Sequence, residues 1–174
     1  MISTRRAVLG GSIVALLDGC GFSPLYAPGA DGSDGPAARG LSQISVALIP
    51  ERAGQLLRQA LQTRFYGAGA SRARVFELKT TFGISNDAVA IRTDNTATRA
   101  RLIGAAAWTL TASDPRAGTV ASGTARAVDG YNIFDQQYFA ADLANEAAQR
   151  RVAEAVADRI TLQLATYFKK SGAG

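Results

Sequence analysis

The sequence predicts an α+β two-layer sandwich in the order β-α-β-β-β-α, with two helices packed on one face of a roughly four-stranded mixed or antiparallel sheet. Three observations predict it. Two segments, near residues 51–66 and 142–168, repeat apolar side chains at helical spacing. Between them, three stretches alternate apolar and polar residues with the period of two that marks half-buried strands. Turn-forming runs, "RTDNT" and "SDPRAG", separate those strands, which favours a meander with both helices gathered on one face.

The N-terminus reads as an export signal rather than as part of the fold. Arg5 and Arg6 form a basic start, and "AVLGGSIVALL" is an apolar run too short for a bilayer, which needs about 20 residues. "STRRAVL" carries the arginine pair of a twin-arginine signal, or only the charge that any signal peptide needs. Leu17-Asp18-Gly19-Cys20 resembles a bacterial lipobox, with an aliphatic residue three before the cysteine and a small residue just before it. Cleavage would remove residues 1–19 and leave Cys20 as an acylated first residue. Each buried CH₂ of an acyl chain contributes ~0.8 kcal/mol, so two or three chains anchor firmly where one does not. Asp18 departs from the lipobox pattern. Losing Arg5, Arg6 and Asp18 changes the formal charge from +5 to +4.

After the anchor, "APGADGSDGPAARG" has no apolar periodicity, so residues 20–40 read as an acylated N-terminus and flexible tether. A single domain is expected over 41–170, with 171–174 as a tail. "ISVALIP" alternates as a short strand, and Glu51 places negative charge where a helix begins. From Glu51 to Tyr66, Leu56, Leu57, Ala60, Leu61 and Phe65 line one helical face. In "RVFELKTTFGI", Phe76, Leu78, Phe82 and Ile84 share a face opposite Glu77, Lys79 and Thr81. "AVAI" reads as a second piece of strand. In "ATRARLIGAAAWTLTA", Thr98, Ala100, Leu102, Ala106, Trp108 and Leu110 face one way, and Arg99, Arg101 and Ile103 the other. "TVASGTARAV" is the last strand, and Asp129 to Ala140 a long connection. From about Asp142, Ala148, Val152, Val156, Ile160, Leu164 and Phe168 recur every four residues, and Lys169 and Lys170 suit the helix C-terminus.

The chemistry on offer is sparse. The chain has no histidine and one cysteine, so it lacks the commonest general base and metal ligand and any intramolecular disulfide. Its carboxylates form no motif-grade pair and no ligand spacing, and no Gly-rich loop joins a strand to a helix. An enzyme, a metal site and a cofactor are therefore not expected. The arginines say more. Arg92 borders the "RTDNT" turn, Arg99 and Arg101 follow on one strand face, and Lys79 faces outward on the neighbouring strand. Guanidinium groups match phosphate geometry, so such a patch suits a phosphorylated acidic ligand; the alternative is a sheet face kept polar for solubility. Nucleic acid would fit the charge but not an exported, membrane-anchored chain.

"CGFSPLY", "LLRQALQTRF", "TRARLIGAAAWTL" and the C-terminal "GYNIFDQQYFAADLANEAAQRRVAEAVADRITLQLATYF" together resemble the LPS-assembly lipoprotein family LptE in its alphaproteobacterial form. The resemblance implies a lipoprotein on the periplasmic side of the outer membrane, held there by acyl chains on Cys20. It implies a plug for the β-barrel LptD and a role in delivering bound lipopolysaccharide to the cell surface. Gly21, directly after the cysteine, resembles the outer-membrane default. Arg92 matches the family's ligand-contacting end, whereas Arg99, Arg101 and Lys79 enter from charge alone. A second family basic residue near the last helix has no counterpart, since that region reads "AADLANEA". A different class of reading is an accessory or pilotin-like lipoprotein of another envelope transport system.

Overall fold

The structure, a computed structural model, describes Gly32 and residues 34–66, 73–91, 97–114, 118–133 and 138–171. Its elements run α1 (Pro36–Ser42), β1 (Ile44–Val46), α2 (Glu51–Tyr66), β2 (Phe76–Ile91), β3 (Ala97–Ala112), β4 (Thr119–Asn132) and α3 (Tyr138–Ser171). The sheet order is β1-β2-β3-β4. Strand β1 is parallel to β2, with α2 as the crossover, and β2, β3 and β4 form an antiparallel meander. The predicted α+β layout, with a mixed sheet, is what the chain adopts.

Alternation sorts each strand into two faces. Leu78, Leu102, Ala106, Trp108, Leu110, Ala125 and Ala127 are buried toward the helices. On α3 the four-residue repeat Ala148, Val152, Val156, Ile160, Leu164 and Phe168 is buried throughout and meets that face. Sequestering each Val, Leu, Ile or Phe contributes roughly 1.5–3 kcal/mol, which makes this stripe the main reason so long a helix stays docked. Close approach needs small residues at the contact. A Cβ on Gly104 would lie 2.3 Å from Val152, so the glycine lets α3 settle onto β3. Trp108 is fixed by a polar link as well: its Nε1 donates to Gln163 Oε1 at 2.8 Å, and Gln163 Nε2 donates to the Thr124 carbonyl at 3.0 Å.

Helices α2 and α3 run parallel. Arg52 pairs with Glu146 at 2.9 Å and Arg64 with Asp158 at 2.6 Å, so the same sequence offset holds at both levels. The corner between β1 and α2 is tight: Glu51 has φ 67°, and Gln55 Nε2 donates to the Ile49 carbonyl at 2.9 Å. That left-handed conformation costs a non-glycine residue about 1–2 kcal/mol, so Glu51 serves the turn as well as the helix terminus.

Three expectations need correction. Pro36–Ser42, whose first five residues belong to the expected tether, form a helix with Ala37, Gly40 and Leu41 buried. Pro36 starts it with φ already helical, and the i, i+3, i+4 spacing of the buried residues supplies a docking stripe. "AVAI" is not a separate piece, because β2 is one continuous strand to Ile91 with a bulge around Val89. The connection after β4 is shorter than expected, since β4 reaches Asn132 and α3 starts at Tyr138.

Candidate ligand face of the sheet

The helices cover one face of the sheet, and among the described residues nothing covers the other. Register brings Asp87 opposite Arg101 and Lys79 opposite Thr109. It also brings Arg99 opposite Asn132, Ile103 opposite Val128 and Ala105 opposite Arg126. All of these side chains stand on the open face. At the end away from β1, Arg99, Arg101 and Arg126 surround the Ile103–Val128 pair, and Val128 is 55% exposed. Cations around an apolar spot suit an amphiphile that carries both phosphate and hydrocarbon.

The residues predicted from the sequence fall in different places. Arg92 and Cys20 lie outside the described residues. Arg101 Nη2 is 3.2 Å from Asp87 Oδ2, so its charge is already answered. Lys79 Nζ is 3.4 Å from Glu77 Oε2. Eight strand residues separate the level of Lys79 from that of Asp87 and Arg101, roughly 26 Å at the rise of a strand. Lys79 therefore does not join the arginine cluster. Arg99 is exposed and has no ion pair among the described residues.

Arg126 was not among the predicted residues. It is exposed on β4 and likewise has no ion pair among the described residues. The signal for it was available, because "TARAV" alternates and puts Arg126 on the face opposite Ala125 and Ala127. Arg151, whose Nε contacts Asp129 Oδ2, is tied down at the α3–β4 seam. Among the described residues, no three His, Cys, Asp or Glu side chains converge as a metal would need, and no helix is long and apolar enough to cross a membrane.

Residues 41–164 match the family model described as LptE, lipopolysaccharide-assembly. The chain belongs to the LptE family. Among solved structures, a lipoprotein from Caulobacter crescentus is similar at 25% identity and a TM-score of 0.61, covering 77% of this chain and 98% of that one. Rare lipoprotein B from Shewanella oneidensis shares the fold at 14% identity and a TM-score of 0.53, over 71% of this chain and 94% of its own. No curated protein matches the sequence significantly. The LptE match takes in β1, α2, the whole sheet and most of α3, so it spans the open face on which the arginines stand.

Proposed function

We propose that this LptE-family chain is an outer-membrane lipoprotein without catalytic activity. Acyl chains on Cys20 hold it at the periplasmic side of the membrane. It plugs and helps assemble an LptD-like β-barrel, and it binds lipopolysaccharide on its way to the surface. The family match over residues 41–164 carries this reading. Arg99 and Arg126, the open-face cations without ion pairs among the described residues, are its phosphate contacts, Arg92 joins them as a further phosphate contact, and Arg101 contributes by leaving Asp87. Exposed Val128, with half-buried Ile103 beside it, meets hydrocarbon. Lys79, about 26 Å away along the strands, is left out of the contact set.

The deciding experiment is affinity capture of the lipidated chain from gently solubilised envelopes. One large β-barrel should return in near-equal amount. Recovery of the chain alone, or with a secretin or an inner-membrane ATPase, refutes the barrel assignment. Replacing Cys20 by Ala should release the chain from membranes once mass measurement has shown that the signal was cut.

A further inference from the structure

The edge of β2 continues far past its partner. The Ala47 amide donates to the Leu78 carbonyl at 3.0 Å, and β1 contributes no pairing beyond that point. Because alternate residues of a strand direct their backbone groups to the same side, the N–H and C=O of Thr80, Phe82, Ile84, Asn86 and Ala88 share this edge. Among the described residues, no strand lies beyond it. Natural edges are protected by lysine, proline, inward charge or a covering segment. From Thr80 to Ala88 this one has neither lysine nor proline, and its only charge, Asp87, is paired with Arg101 inside the sheet. The bulge around Val89 limits the edge at its far end and leaves Thr80–Ala88 regular.

We propose that two copies of the chain pair antiparallel through this edge, joining their sheets about a two-fold axis at Ser85. Self-complementarity favours a second copy as the occupant. With Ser85 opposite Ser85, Ile84 meets Asn86, Phe82 meets Ala88, and Asp87 meets Gly83, so no like charges oppose. The even-numbered residues then face each other as hydrogen-bonded pairs. The Phe82–Ala88 and Ile84–Asn86 pairs each occur twice, and these four pairs supply eight backbone bonds, within the range of a protein interface, which carries about 10. Just past the last regular residue, Val89 of the second copy comes to the level of Thr81, at the start of the bulge. There a pocket of about 440 Å³ opens between Leu48, Lys79, Thr81, Ala107 and Thr109. Leu48 and Val89 are 73% and 52% exposed in the single chain, and the pairing covers both.

The test is a chain carrying Cys20→Ala and Ser85→Cys, which leaves a single thiol. Opposed residues without mutual hydrogen bonds have Cα atoms about 4.5 Å apart, inside the disulfide range of roughly 4.4–6.8 Å. Mild oxidation should give a linked dimer, whereas Ser122→Cys on β4 should not link. Sedimentation of the otherwise unaltered chain should show a monomer–dimer equilibrium, and Ser85→Lys, which sets two ammonium groups face to face, should weaken it about tenfold or more. Circular dichroism that matches the parent would show the Ser85→Lys fold intact. A monomer mass across the accessible concentration range overturns the proposal, and so does linking at Ser122 as fast as at Ser85. Barrel capture is scored separately, so failure of either reading leaves the other standing.

Discussion

Gly40→Ala tests whether α1 is a docked helix. In isolation the substitution favours the helix, because alanine is better than glycine by about 0.8–1 kcal/mol in a helix interior. In this position a Cβ would lie 2.3, 2.5 and 2.6 Å from three ring atoms of Phe168, far inside van der Waals contact. The ring cannot simply swing away. Phe168 is 7% exposed, and its centroid is 5.4 Å from that of Phe76 and 5.3 Å from that of Tyr167. Overpacking of this kind costs about 1–3 kcal/mol, and a Phe168 ring held on two sides sets the cost at the upper end, so the clash outweighs the helix preference and the net loss is about 2 kcal/mol. At about 2–4 °C per kcal/mol for a chain of this size, that lowers Tm by about 4–8 °C, measured by circular dichroism on the purified mature chain. A double-mutant cycle with Phe168→Leu should recover most of the loss, since the ring is what the new methyl meets. A Gly40→Ala chain at least as stable as the parent would refute the docking of α1 against Phe168.

The two strand faces can be compared at adjacent residues: Leu102→Ala should cost about 2–5 kcal/mol in urea unfolding, because Leu102 is 2% exposed beneath α3, whereas Ile103→Ala on the open face should cost far less. Equal losses would contradict the face assignment. Gln163→Leu removes the acceptor of the Trp108 indole and should destabilise the chain by about 1–3 kcal/mol while changing the emission of its single tryptophan. For ligand binding, Arg99→Asp and Arg126→Asp should each weaken lipopolysaccharide capture about tenfold with folding preserved, and Lys79→Asp should leave it nearly unchanged; the reverse ranking would move the contact to the β1 end.

How far the sequence carried depends on the range of the interaction. The α3 stripe was legible because one repeat of four residues decides which side of a long helix is dry, and no distant partner is needed to read it. The inner face of β3 was legible for the same reason at a period of two. Helix α1 was not, because its Gly, Pro and Asp neighbours have the composition of a linker while its stability comes from Phe168, more than a hundred residues away. Lys79 was grouped with Arg101 because both point outward, which is a property of each strand alone. Their separation is a property of register. Asp87 and Arg101 stand seven residues either side of Asp94, and Lys79 and Thr109 stand fifteen, so a hairpin centred on "RTDNT" already implied the distance.

Register also decides which arginines can serve a ligand. Arg101 at 3.2 Å from Asp87 binds a phosphate only by giving up a carboxylate, an exchange of one charge-assisted contact for another with little net gain. Lys79 faces the same exchange with Glu77. Arg99 and Arg126 have no carboxylate to give up among the described residues, so each new contact to an ionised phosphate keeps more of its roughly 1.5–3 kcal/mol. The difference follows from sequence spacing through strand pairing: Asp87 sits where it can answer Arg101, while Asn132 is opposite Arg99 and Ala105 opposite Arg126, and neither can supply a negative charge. Of four outward cations described on this face, pairing therefore quiets two and leaves the other two flanking the Ile103–Val128 pair, where a phosphorylated amphiphile gains most.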